Sequence, residues 1–244
     1  MPTEDELLDL MLLQGRNVGT WAPGELDRMV EDGDVVLLPA AQYAAWFHEL
    51  PPLDKQEEVI AKWGEPPGEI MVYHTGGEDY LVIPPTISFG NVILTPPQPT
   101  RGWLQDEKIL YHDKELPPHH QYIAFYLWLQ NQFGADAIVH FGRHGTQEWL
   151  PGKERGGLSA TDDWPPLLIG DCPNIYPYIM DGLGEGTQAK RRGGNAVIID
   201  HLTPAHRCRR ALRRLFHPAR KDSQIWYHQR HPERRIPEQY HAAL

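Results

Sequence analysis

Apolar positions come in short runs, punctuated by proline and glycine, and the runs alternate between two periods. Near-continuous apolar stretches predict buried strands at "DVVLLP" (34–39), "EIMVYH" (69–74) and "DYLVIP" (79–84). "GNVILTPPQPTRGW" (90–103) reads as a short strand entering a proline-rich loop. Helical spacing predicts an amphipathic helix over 4–14, a helix in "AAQYAAWFHEL" (40–50) stopped by Pro51-Pro52, and another in "DKQEEVIAKWG" (54–64) ending at Gly64. The clearest helix is "PPHHQYIAFYLWLQNQFG" (117–134), with apolar positions 122, 125, 126, 129 and 133 on one stripe. Pro117 and Pro118 suit its start and Gly134 its end. Then follow strands in "ADAIVHF" (135–141), "NIYPYIM" (174–180) and "NAVIIDHL" (195–202), with a helix in "GEGTQAKRR" (184–192). This alternation predicts an α/β fold with a largely parallel sheet flanked by helices. Sites in such sheets gather at the carboxyl ends of strands. His140 falls at one such end, and Asp200 and His201 at another.

Composition narrows the class. With 244 residues, 41% hydrophobic and 23% charged, the chain has the balance of a globular protein. No apolar run approaches the ~20 residues of a membrane span. The start, "MPTEDELLDL", is acidic rather than basic, so no export signal is expected. Two cysteines, Cys172 and Cys208, allow neither a disulfide framework nor a CxxC metal knuckle; free thiols in a reducing cytoplasm are expected. The net charge of −10 hides an asymmetry: residues 1–201 hold 13 basic against 30 acidic side chains, residues 202–244 hold 10 against 3. The acidic body argues against a nucleic-acid surface.

Candidate chemistry concentrates in "HFGRHGTQEWLPGK" (140–153). Gly142 and Gly145 each cost a helix roughly 1 kcal/mol, so His140 and His144 are not expected as an i, i+4 helical pair. A strand end, a glycine turn and a short helical turn from Thr146 are expected instead. Imidazole is a common transition-metal ligand and carries protons near neutral pH. Glu148 adds an oxygen ligand or a base. His140, His144 and Glu148 thus make a metal-competent turn, while a merely hydrogen-bonded turn is the alternative; no HExxH motif is present. "GLGEGTQAKRR" (182–192) lacks the order of a phosphate-binding loop. Lys190, Arg191 and Arg192 either complement the helix dipole or hold substrate carboxylates. His119 and His120 are expected on the surface.

Four blocks occur in one order: "GNVILTPPQPTRGW", "YHDKELPPHHQYIAFYLWLQNQFGADAIVHFGRHGTQEWLPGK", "LSATDDWPPLLIGDCPNIYPYI" and "GEGTQAKRRGGNAVIIDHLTP". Over residues 10–204 the chain resembles the large subunit of cobaltochelatase, whose superfamily includes the large, tetrapyrrole-binding H chain of magnesium chelatase. The resemblance implies a piece of a larger multidomain, tetrapyrrole-binding subunit, a ligase forming nitrogen–metal bonds in the cytoplasm. It implies insertion of cobalt, as substrate, into a corrin precursor of the hydrogenobyrinic acid a,c-diamide type in cobalamin biosynthesis, with ATP hydrolysed by separate AAA-type subunits. Magnesium insertion into protoporphyrin IX, or a non-catalytic tetrapyrrole-binding fragment, is the alternative; "GEGTQAKRR" and "VIIDHLTP" look closer to the cobalt branch. It implies His140, His144 and Glu148 as metal-presenting and proton-accepting groups. Trp149, Lys153, Lys190, Arg191, Arg192 and His201 are the implied substrate contacts. After Pro204 the likeness stops, so the expected division is a core at 1–204 and a basic, poorly packed tail at 205–244, of shifted-frame or foreign origin.

Overall fold

A computed structural model describes residues 3–6, 8, 24–32, 35–83, 86–95, 113, 115–143, 145–154, 159–179 and 183–200. The elements are α1 (Glu25–Glu31), β1 (Val36–Pro39), α2 (Ala40–Glu49), α3 (Leu53–Trp63), β2 (Val72–Thr75), β3 (Glu78–Ile83), β4 (Ile87–Phe89) and β5 (Val92–Leu94). They continue with α4 (His120–Trp128), β6 (Ile138–Val139), α5 (Trp164–Ile169), β7 (Asn174–Pro177), α6 (Leu183–Arg192) and β8 (Val197–Ile199).

The α/β class holds, but the expectation of a largely parallel sheet is corrected. β1, β3 and β2 form an antiparallel sheet in that order, and β4 pairs β5 antiparallel. The physical reason is local. Gly76 and Gly77, at φ 62° and 82°, join β2 to β3. Two consecutive positive φ values are what a type I′ hairpin needs, and so short a link reverses the chain. Only β6, β7 and β8 are parallel, because a helix separates each pair.

α4 is buried on every side rather than along one stripe. It lies against β3, α2 and α5, and its residues Tyr122 to Trp128 form the centre of one core with Tyr43, Phe47, Leu81, Ile83 and Trp164. From Tyr122 onward its residues are apolar or aromatic on every side, as suits a helix covered all round. Its last turn widens at Leu129–Phe133 before the left-handed cap at Gly134.

His119 and His120 are buried, correcting the surface expectation. His119 Nδ1 caps the helix by accepting the Tyr122 amide at 3.1 Å. His120 Nε2 donates to the Gly64 carbonyl at 2.9 Å, which leaves Nδ1 to accept the Tyr43 hydroxyl at 2.7 Å. Burial pushes its pKa down to about 4; the Gly64 bond opposes the shift and the nearby His48 assists it. Between pH 6.5 and 4 the unfolded chain therefore binds the proton that the folded chain refuses. Stability from this residue is complete above pH 6.5 and falls as pH drops, by roughly 3 kcal/mol at pH 4. Urea unfolding between pH 7 and 4 should show a steeper loss for the wild type than for His120→Gln; parallel slopes would remove His120 as the source.

Candidate functional site

The site is built on the packed face of the parallel sheet. β7 lies between β6 and β8, so the three carboxyl ends share one edge. Pairing runs on past β6: His140 N–H donates to the Ile175 carbonyl at 2.9 Å, and Ile179 N–H to Gly142 at 2.8 Å. "AIVH" and "VIID" thus belong to one sheet, as expected. His201 lies outside the described residues, and so does His144.

His140 is half-buried and held at both ring nitrogens. The Asn174 amide donates through Nδ2 to the Gly193 carbonyl at 2.5 Å, which turns its Oδ1 towards His140 Nδ1 at 2.8 Å. Oδ1 only accepts, so Nδ1 carries the proton and Nε2 keeps a lone pair. That lone pair faces the Tyr126 hydroxyl at 3.3 Å. The imidazole also stacks on Tyr176, with centroids 5.6 Å apart and planes inclined at 29°.

Beyond Thr146 the expected short helical turn is a 3-10 turn, Gln147–Trp149. It swings Glu148 inward, where it is 1% exposed. Glu148 Oε1 accepts the Gly145 amide at 2.7 Å and the Tyr176 hydroxyl at 3.3 Å. Its Oε2 is buried with no hydrogen-bond partner among the described residues. A Cβ at position 145 would stand 3.3 Å from that oxygen, so glycine there lets the turn close over the carboxylate. Burial, with the Glu148 charge second, raises the Tyr176 pKa far above its usual value, so Tyr176 remains a neutral donor. Both His140 and Glu148 therefore touch Tyr176, one at its ring face and one at its hydroxyl.

The rest of the motif is an anchor. Asp163 accepts the Lys153 amide at 2.6 Å, the Ser159 amide at 2.7 Å and the Lys153 ammonium at 3.4 Å. Burial alone would raise the Asp163 pKa, but these bonds outweigh it and hold the carboxyl below its usual range. Gly152, at φ 151°, has room only for a hydrogen: a Cβ would lie 2.6 Å from the Asp163 carboxylate. Asp162 stands 3.7 Å from the Lys153 ammonium, which stays half-exposed.

Arg192, expected to contact substrate, is buried at 6% exposure and directed inward. Its Nε donates to the Glu148 carbonyl at 2.7 Å, one terminal nitrogen to Leu150 at 2.5 Å and the other to Lys153. Its role is corrected to bracing the 148–153 segment. Lys190 donates to the Ala196 carbonyl at 3.3 Å, just before β8. That is two residues, roughly 6.6 Å, from Ile198, which shares a row with Tyr176 and His140. Arg191 is exposed, and Trp149 is 37% exposed. Among the described residues no three His, Cys, Asp or Glu groups converge as a metal-binding cluster.

Asn174, Tyr176, Tyr126 and Asp163 escaped the sequence reading. One signal was present: "NIYPYI" places Asn174, Tyr176 and Tyr178 at alternate positions of a buried strand, where aliphatic residues are usual. Three polar-tipped side chains on one inward face mark a polar inner surface.

These features recur in known proteins. A family model described as CobN/Magnesium Chelatase matches residues 1–212. The aerobic cobaltochelatase CobN protein of Pseudomonas aeruginosa is 45% identical over 174 residues, 69% of this chain and 13% of that protein. The magnesium-chelatase H protein of Rhodobacter capsulatus is 40% identical over 167 residues, 68% of this chain and 13% of that protein. The solved catalytic subunit of cobaltochelatase from Mycobacterium tuberculosis is similar at a TM-score of 0.60 and 34% identity, covering 95% of this chain and 23% of that one. The chain belongs to the CobN/Magnesium Chelatase family. It spans 13% of the length of either curated relative. The family match runs eight residues past the expected boundary at 204; the proposed tail at 205–244 otherwise lies outside the described residues.

Proposed function

We propose that this chain carries part of the metal-insertion site of a tetrapyrrole chelatase, with a divalent cation as substrate. The observation that carries the reading is the arrangement of His140 and Glu148 around Tyr176 at the carboxyl edge of a parallel sheet, in a member of this family. Insertion replaces two pyrrole N–H protons by the metal, so the site must offer a ligand and accept protons. His140 keeps Nε2 unprotonated for either task. Glu148 supplies the only carboxylate in the 140–149 sequence. Trp149 offers an indole face to the macrocycle, and Lys153 and Arg191 offer cations to its carboxylates. His201 and Lys190 stand further from this arrangement or outside the described residues, and are secondary candidates.

The favoured substrate pair is cobalt and a corrin precursor, with ATP hydrolysed by AAA-type partner subunits. An imidazole-rich turn suits cobalt better than magnesium, which prefers oxygen ligands. The magnesium reading predicts the opposite metal preference with a porphyrin.

Absorbance titration of the chain with a corrin precursor, and separately with protoporphyrin IX, tests the binding part directly. Saturable binding of the corrin is expected, and Arg191→Ala should weaken it by roughly tenfold, the scale of one partly screened charge-assisted contact. Tighter binding of protoporphyrin IX would favour the magnesium reading. Unchanged affinity in Arg191→Ala would return Arg191 to the solvated face of its helix.

A further inference from the structure

Side chains alternate along a strand, so the parallel sheet has a second face that the site does not use. Ile138, His140, Asn174, Tyr176, Ala196 and Ile198 point to the packed side and are buried or half-buried. The residues between them point away, and every one is apolar. The register sets Val139, Ile175 and Val197 in one row across the strands. Phe141, Pro177 and Ile199 make the next row, with Ile179 beyond. Phe141 is 80% exposed, and Val139, Ile179, Val197 and Ile199 are each more than half exposed.

The topology explains why nothing among the described residues covers this face. The strands lie in sequence order, β6-β7-β8. Successive right-handed crossovers in one direction place their helices on one side. Accordingly, α6 packs through Ala189 on Tyr176, Tyr178 and Ile198, and α5 shares a core with Ile138. Parallel sheets are nonetheless almost always covered on both faces.

We propose that the outward face is the seat of a helical layer supplied by another part of the same family protein. The layer presents an aliphatic stripe across the three strands. Two facts select this occupant. The chain spans 13% of the length of its curated relatives, so most of such a protein lies outside it. The two rows Val139–Ile175–Val197 and Phe141–Pro177–Ile199 carry no charged or hydrogen-bonding side chain, so they fit the apolar stripe of a helix and offer nothing to the carboxylates of a tetrapyrrole. The inference rests on family membership and is independent of the metal-insertion reading.

Hydroxyl-radical footprinting of unmodified proteins reads these side chains directly. In this chain, Phe141 and Ile179 should be oxidised readily. In the full-length Pseudomonas aeruginosa relative, the corresponding peptides should react at least about tenfold more slowly, as expected for a stably packed segment. As a second measurement, Phe141→Cys in this chain and the matching cysteine in the full-length relative should differ in maleimide labelling in the same direction. Free oxidation and labelling in the full-length protein would overturn the proposal. So would protection in this chain that grows with concentration alongside a dimer in sedimentation velocity, since a second copy would then be the occupant.

Discussion

Glu148→Gln, made in a complete subunit with the proposed ATPase partners, should leave tetrapyrrole affinity within about tenfold and slow metal insertion by 10²-fold or more. The substitution is nearly isosteric. Glutamine can still accept the Gly145 amide through its carbonyl oxygen, so the 3-10 turn should hold. What disappears is the negative charge and the basic lone pairs of Oε2, the oxygen that has no hydrogen-bond partner among the described residues. A buried carboxylate beneath the turn attracts an incoming cation and raises the proton affinity of its surroundings. Neither effect is needed to hold a macrocycle. His144→Ala should act in the same direction, by removing a proposed ligand rather than a charge. Stopped-flow absorbance separates the two readouts, since macrocycle binding and metal insertion change the spectrum differently. Wild-type insertion rates in both variants would leave the 140–153 stretch as structural scaffolding.

Arg192→Ala should destabilise the chain by roughly 3–5 kcal/mol. Three backbone carbonyls, of Glu148, Leu150 and Lys153, would lose their donor, the first two in residues shielded from water. A single cation spanning three acceptors from one planar group is difficult to replace. Arg192→Lys keeps the charge but presents a point donor in place of the fork, so it should recover less than half of the loss. Urea midpoints with an unchanged slope would report these values. A loss below about 1 kcal/mol for Arg192→Ala would mean that the three carbonyls find other donors and that Arg192 is no brace. The substitution should also weaken insertion indirectly, because the braced segment contains Glu148.

Much of the secondary structure was legible because its signals are local. Gly64 and Gly134 end helices, Pro51-Pro52 stops another, and the apolar runs at 36–39, 138–139 and 197–199 are strands. The "GTQEW" turn was legible for the same reason, since glycine excludes a continuous helix there. Pairing direction was misjudged. Apolar runs say that a strand is buried without saying which neighbour buries it, and Gly76-Gly77 turns the chain back into an antiparallel pair where a largely parallel sheet was expected. His119 and His120 were misjudged similarly, because a histidine in sequence carries no mark of the Gly64 carbonyl or Tyr43 hydroxyl that receives it.

For the candidate site, the sequence alone determined the dense turn of His140, His144 and Glu148, its position at a strand end, and the motif that carries the family likeness. Those properties reside in residues at most fourteen apart, within reach of local rules. Only the tertiary structure decided what these side chains touch. Asn174, 34 residues away, sets the His140 tautomer. Tyr176, 28 residues from Glu148, sits between the imidazole and the carboxylate. Arg192, 44 residues from Glu148, turns inward to brace the loop instead of outward to a ligand. Those choices depend on which strands become neighbours and on which buried carbonyls lack donors. Both are properties of the packed chain, because a buried polar group must find its partner wherever the fold brings one close.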